Sequence, residues 1–119
     1  MDYFGQFGTD REKALKVLTP FVERMLLAHY QADYIAFISL ATHSFKQVVN
    51  PVKFFHTRQL HAQTQGKPLS LSFVRAFAYM NNPVFEFDVK YQLAKEKITI
   101  QVEFCNDSFP PKINYLHIE

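Results

Sequence analysis

Val84-Phe85-Glu86-Phe87-Asp88-Val89-Lys90-Tyr91-Gln92-Leu93 alternates apolar and polar side chains without a break from Phe85 onward. Successive side chains of a strand point to opposite faces, so Phe85, Phe87, Val89, Tyr91 and Leu93 share one side and Glu86, Asp88, Lys90 and Gln92 the other. Alternation this strict means one face in a core and one face wet. A turn over Ala94-Lys95-Glu96-Lys97 leads to a second run, in which Ile98, Ile100, Val102 and Phe104 alternate with Thr99, Gln101, Glu103 and Cys105. Upstream, Leu69 to Tyr79 alternates as well, and Met80-Asn81-Asn82-Pro83 has turn composition. Asn106 to Pro111 is rich in breakers, and Lys112 to Ile118 forms a shorter last strand. The second half is thus an antiparallel meander of about four strands.

The hairpins can be registered. With Lys95-Glu96 at the tip, Leu93 faces Ile98, Tyr91 faces Ile100, Val89 faces Val102 and Phe87 faces Phe104. All four pairs are apolar, which favours this register. It also sets Asp88 opposite Glu103. With Asn81-Asn82 at the preceding tip, Arg75 falls beside Asp88, and the row Arg75, Asp88, Glu103 compensates its own charges. This unbulged phase puts Leu69, Leu71, Phe73 and Phe77 on the outer face. A bulge at the Asn-Asn turn would instead send Arg75 to the apolar side. In the rival phase the outer face carries Ser70, Ser72, Val74, Ala76 and Ala78. The unbulged register is the expectation.

The first half has the helical period. Thr9-Asp10-Arg11-Glu12 matches a capping box, with Thr9 as N-cap. Ala14, Leu15, Leu18, Val22, Met25, Leu26 and His29 or Tyr30 then recur at spacings of three and four. Pro20 lies within the run and predicts either a kink or a second helix opened by Thr19. Asp33 caps the segment Tyr34 to Phe45, and Asn50-Pro51 opens another helix, with Val52, Phe55 and Gln59 or Leu60 facing inward. Gly66 and Pro68 close it. The fold class is therefore α+β, helices packed on one face of a mainly antiparallel sheet, in one domain over residues 1–119.

Bulk properties narrow the function classes. The chain has 48% hydrophobic and 20% charged residues, which fits a packed core and not a disordered chain. Thirteen Phe and six Tyr, with no Trp, either fill that core or line an apolar pocket. No leader pattern opens the chain, no run of about 18 apolar residues occurs, and the single Cys105 cannot form an internal disulfide. A cytoplasmic, reducing location is expected from these features. Tyr34 to Phe85 contains no Asp or Glu but carries Lys46, Lys53, Arg58, Lys67 and Arg75, a charge of +5. A basic middle favours an anionic ligand or acidic partner, although spaced lysines on a solvated face are the commoner case.

Chemical motifs are sparse. His29, His43, His56, His61 and His117 do not pair at helical metal-ligand spacing, so no metal or other cofactor is expected. A histidine pair for acid–base work can form only in space. Cys105 stands beside Glu103, which opposes thiolate formation, and reads as structural. Asp33 is either a pocket base or, more simply, the N-cap it resembles. Three glycines leave no phosphate-cradling loop, and no basic–aromatic strand motif points to nucleic acid.

The phrase Tyr30-Gln31-Ala32-Asp33-Tyr34-Ile35-Ala36-Phe37, and the exit Gly66-Lys67-Pro68 into the first long strand, resemble the NTF2-like superfamily of cystatin-like α+β domains. The resemblance implies a sheet curled around the long helix into a cone with an apolar pocket, and a homodimer built on the sheet's outer face. For this chain, candidate pocket residues are Tyr34, Phe55, Phe87, Tyr91, Phe104 and Tyr115, and candidate dimer-face residues are Phe73, Phe77, Asp88, Lys90 and Glu103. The superfamily has no fixed catalytic motif to carry over. The first functional reading is a domain that binds a small apolar or anionic ligand, or a partner, without assigned catalysis. The alternative is an isomerase, dehydratase or cyclase using polar groups in the cone. A third reading is an adaptor that meets an acidic partner through the helix between Lys46 and Lys67. Neither nucleic acid nor a membrane is an expected partner.

Overall fold

The computed structural model describes residues 2–106 and 108–118. Four α-helices, α1 (Arg11–Tyr30), α2 (Tyr34–Ser39), α3 (His43–Val48) and α4 (Pro51–Thr64), precede four strands, β1 (Pro68–Tyr79), β2 (Asn82–Tyr91), β3 (Ile98–Phe104) and β4 (Ile113–Ile118). The strands form one antiparallel sheet in sequence order. The helices pack against it, α1 on β1 and α3 on β4. This is the α+β architecture that the alternating runs predict. No helix among the described residues is long and apolar enough to cross a membrane.

The helical half departs from expectation in four local respects. Asp10, not Thr9, caps α1, its carboxylate accepting from the Lys13 N–H at 3.1 Å. α1 runs unbroken through Pro20, so Thr19 opens no new helix. Tyr34 to Phe45 is not one helix but two, because Thr42 caps α3 and its N–H donates to the Ile113 carbonyl at the sheet edge. On α4 the inward residue is Phe54, 1% exposed, whereas Val52, Phe55 and Leu60 face outward. Asp33 and Asn50 cap α2 and α4 as read. Gly66 takes a left-handed φ of 72°, and a Cβ there would stand 2.8 Å from the Leu93 side chain. That combination allows only glycine at the helix exit.

The sheet's register corrects the expected one. Val89 pairs Ile98, Phe87 pairs Ile100 and Phe85 pairs Val102. The β2–β3 tip therefore lies earlier in the chain than Lys95-Glu96. The slip is even, so every side chain keeps its face. Asp88 meets Thr99, whose hydroxyl donates to it at 2.9 Å, and Glu103 meets Val84, so the like-charge pair does not form. At the β1–β2 tip Met80 and Asn81 have φ of 48° and 71°, a two-residue turn of the type that suits strand twist. Arg75 consequently pairs with Glu86 rather than Asp88.

A register shift between Phe73 and Arg75 marks a bulge in β1 that the local sequence does not announce. On the turn side of it, Arg75 and Phe77 stay on the outer face. On the far side, the phase reverses: Phe73 pairs Phe87 and Leu71 pairs Val89, both packed on the core. Phe73 therefore is not a surface residue of the outer face. Its ring touches Phe4, Phe85 and Phe87 at centroid distances of 6.1, 6.0 and 6.1 Å, and the Arg11 guanidinium lies over it. The supposed apolar patch of Leu69, Leu71, Phe73 and Phe77 is dismantled by this bulge.

The outer face is instead largely polar. Glu86 accepts from Arg75 and from Gln101, and Glu103 accepts from Asn82 and Asn114. These bonds hold the Glu86 carboxyl below its ordinary range, Arg75 contributing most and Gln101 next. They also explain how two carboxylates rest 7% and 8% exposed on a sheet.

Three substitutions test the phase. Phe87, 1% exposed, should cost ~3–5 kcal/mol as Phe87→Ala in urea unfolding. Phe73 is half-buried against the core, so Phe73→Glu sets a charge among its rings and should cost at least ~2 kcal/mol, whereas Phe77→Glu, on the outer face, should cost under ~1 kcal/mol. A Phe73→Glu protein as stable as the parent would place Phe73 outside and contradict the bulge.

Candidate functional site

The last turn of α1 carries His29 on the same stripe as Leu18, Val22 and Met25, all of which are buried. Burying that stripe against the sheet forces the imidazole inward. α4 crosses nearby, held to the end of α1 by Arg58, whose Nε donates to the Tyr30 carbonyl at 2.9 Å. The inward stripe of α4 is Phe54, Arg58 and His61, one turn apart. His61 thereby arrives edge-on to His29, with ring centroids 5.4 Å apart. Phe54 meets the other side of His29 at 5.3 Å, nearly perpendicular.

These rings line a half-open cavity of about 290 Å³ between α1, α2, α3, α4 and β4. Its walls include Phe37, Phe45, Val48, Val49, Phe54 and Leu116. The polar contributors are His29, His61, Thr57, Lys53, Tyr115 and His117, and among the described residues no carboxylate lines it. The size lies at the small end of ligand cavities, ~300–1,000 Å³. Behind the histidines, His29 and His61 also line a crevice of about 10 Å³ with Tyr30, Arg58, Gln65 and Tyr91. That space suits about one water molecule at most. The imidazole pair is therefore the partition between a usable cavity and a closed crevice.

Neither imidazole has a hydrogen-bond partner among the described residues. His29 titrates at about 4 instead of 6.5, chiefly because burial disfavours its charged form, with the positive charges of His61 and Arg58 acting in the same direction. The α1 C-terminus favours a cation by ~0.3–1 kcal/mol. A fall from 6.5 to about 4 corresponds to roughly 3 kcal/mol, so desolvation prevails. His61 is lowered too, by its own burial. At neutral pH both rings are uncharged, each offering one donor and one acceptor.

The six expected pocket residues scatter. Tyr115 lines the cavity, its ring 6.1 Å from Phe45 and stacked on His117. Tyr91 lies behind it on the crevice, with its hydroxyl pushed up to about 12 by burial. Tyr34 sits outside the lining, its hydroxyl donating to the Val49 carbonyl at 3.0 Å, so it braces the wall. Phe55 is 47% exposed, on the wrong side of α4 to line anything. Phe87 and Phe104 are core residues that fill space under the sheet. Of the expected dimer face, Phe77, Asp88, Lys90 and Glu103 do lie on the outer side, and Phe73 does not.

Asp33 accepts from the Ala36 N–H at 3.1 Å and is a cap outside the cavity. Cys105 is remote, its thiol 3.7 Å from the Asn106 carbonyl. Among the described residues no cluster of three His, Cys, Asp or Glu could hold a metal. The histidine pair escapes a reading of the sequence because α2 and α3 separate its members. The one usable signal is that both continue a buried helical stripe. No protein-family model matches the chain, and no curated protein or solved structure matches it either.

The burial of His29 makes stability pH-dependent. Its folded pKa is lowered, so the unfolded chain binds the proton first. The contribution is intact above pH ~6.5 and is lost progressively as pH falls to ~4, by at most ~3 kcal/mol. Urea midpoints measured between pH 7 and 4.5 should fall in the parent and fall less in His29→Phe. Equal slopes would mean that His29 is not buried neutral.

Proposed function

We propose that this is an NTF2-like domain that binds a small, mainly apolar ligand in the cavity between α1, α2, α3, α4 and β4. One observation carries the reading: two neutral imidazoles, without partners among the described residues, stand in a cavity walled largely by phenylalanines. The ring nitrogens remain reachable from solvent. A ligand with an apolar body and one hydrogen-bonding head takes the place of solvent at them while covering the rings. The order of helices followed by an antiparallel meander agrees with the NTF2-like expectation. A homodimer, if formed, would use the outer sheet face, where Val74 and Tyr79 remain 48% and 56% exposed beside Phe77.

The convergence of His29 and His61 also favours a second reading. One neutral imidazole can donate to a carbonyl oxygen while its neighbour accepts a proton from the adjacent carbon, which is isomerase-type or dehydratase-type chemistry. Among the described residues no carboxylate orients either ring, so the binding reading stands first.

Titration with 1-octanol, benzyl alcohol and cyclohexanone, followed through the histidine imidazole signals by NMR in deuterated water, tests both. Shifts confined to His29, His61 and His117, without loss of the ketone's α-protons, are the expected result. Protein-dependent α-proton exchange that His61→Phe abolishes would move the assignment to the enzyme reading. No shift with any of the three compounds would refute both.

A further inference from the structure

Resting on the ligand-binding reading above, we infer that the ligand is a small amphipathic carboxylate, its oxygens accepting from the His29 and His61 imidazoles and its apolar body lying along Phe37, Phe45 and Phe54. Three independent features of the cavity point to an anionic head. First, among the described residues every ionisable group on its wall is a base or a phenol: His29, Lys53, His61, Tyr115 and His117. Tyr34 to Phe85, the stretch that builds most of the wall, contains no acidic residue at all. A cationic head would meet no complementary charge, and an anionic one would meet Lys53 from the cavity side and Arg58 from the crevice side. Lys53 is exposed and Arg58 half-buried, so both charges act without being desolvated themselves.

Second, the two imidazoles meet edge-on, 5.4 Å between centroids, with their nitrogens unclaimed by the described residues. Two adjacent N–H donors suit the two oxygens of one carboxylate, which accepts at both. A hydroxyl head can satisfy one ring as acceptor and the other as donor, but gains no charge. Third, the lining around the histidines is aromatic and aliphatic, with Phe37 and Phe54 at 5.9 and 5.3 Å from His29 and 5.0 Å from each other at their centroids. This suits a hydrocarbon or aryl body and excludes a small, fully hydrated anion such as phosphate, whose remaining oxygens would find no donors there. The cavity of about 290 Å³ limits the body to a short chain or a single ring.

The test compares matched pairs that differ only in the head: octanoate with 1-octanol, and phenylacetate with 2-phenylethanol, by calorimetric titration of the whole protein at pH 7. The carboxylates should bind at least ~10-fold more tightly than the alcohols, a difference of about 1.4 kcal/mol. His61→Phe should erase the preference, bringing acid and alcohol of each pair to within about threefold of one another. Should His61→Phe fail to fold, the parent's imidazole signals decide: octanoate should raise the pH at which His29 titrates, and 1-octanol should not. Equal affinities for acid and alcohol, or a preference that survives in His61→Phe, would overturn the carboxylate assignment and leave the cavity reading standing. Failure of all four compounds to bind would overturn the cavity reading itself.

Discussion

Phe73, Phe85 and Phe87 are held in mutual ring contact on the helix side of the sheet, with Phe4 closing over two of them and Phe104 against Phe85. β1 can supply Phe73 to this cluster only because the chain bulges before Arg75. Without the extra residue, a strand that keeps Arg75 on Glu86 would turn Phe73 to solvent. The bulge lets one strand satisfy two demands: an ion pair outside near the turn and an aromatic core inside beyond it. Ala76 reaches the core from the turn side, where larger side chains would collide with Phe85, its cross-strand partner. The N-terminal segment then seals the irregular backbone. The Asp2 carboxylate accepts from the Ala76 N–H, and the Tyr3 N–H donates to the Ala76 carbonyl.

The site follows from that layer. α1 lies on the aromatic core by Ala14, Leu18, Val22 and Met25, and this rotation leaves no other place for His29 than inside. α4 does not rest on the sheet through a broad apolar face; only Phe54 is fully buried. Its contact with the end of α1 is a mixture of Arg58, His61 and Phe54, which is why polar groups and apolar rings share one cavity wall. A helix anchored by a single phenylalanine leaves room beside it. The cavity is that room, closed on the far side by α3 and the edge strand β4.

Much of this was legible in the residues. The period change after Gly66, the caps at Asp33 and Asn50, and the faces of β2 and β3 are local properties, read from a few neighbouring side chains. Register slipped because an even shift exchanges one set of apolar pairs for another, and pairing energy alone does not separate them. The bulge was invisible because Val74 is an ordinary strand residue; the demand for it comes from Phe87, far along the chain. α4 was read a residue out of phase because Phe54 and Phe55 are adjacent and either could face inward. With Phe54 inward, His61 follows on the same stripe. The pairing of His29 with His61 depends on how two helices cross, and that is set by tertiary packing.

The account stands or falls on two imidazoles that stay neutral and unpartnered inside an apolar cavity. Following the carbon-bound imidazole protons of all five histidines by NMR from pH 7.5 to 3.5 examines this directly. His29 should titrate near 4, and His61 below its ordinary value, both pushed down by burial. A His29 signal that titrates at ~6.5, as a solvated imidazole does, would mean that the ring faces water and that the cavity is not the binding site.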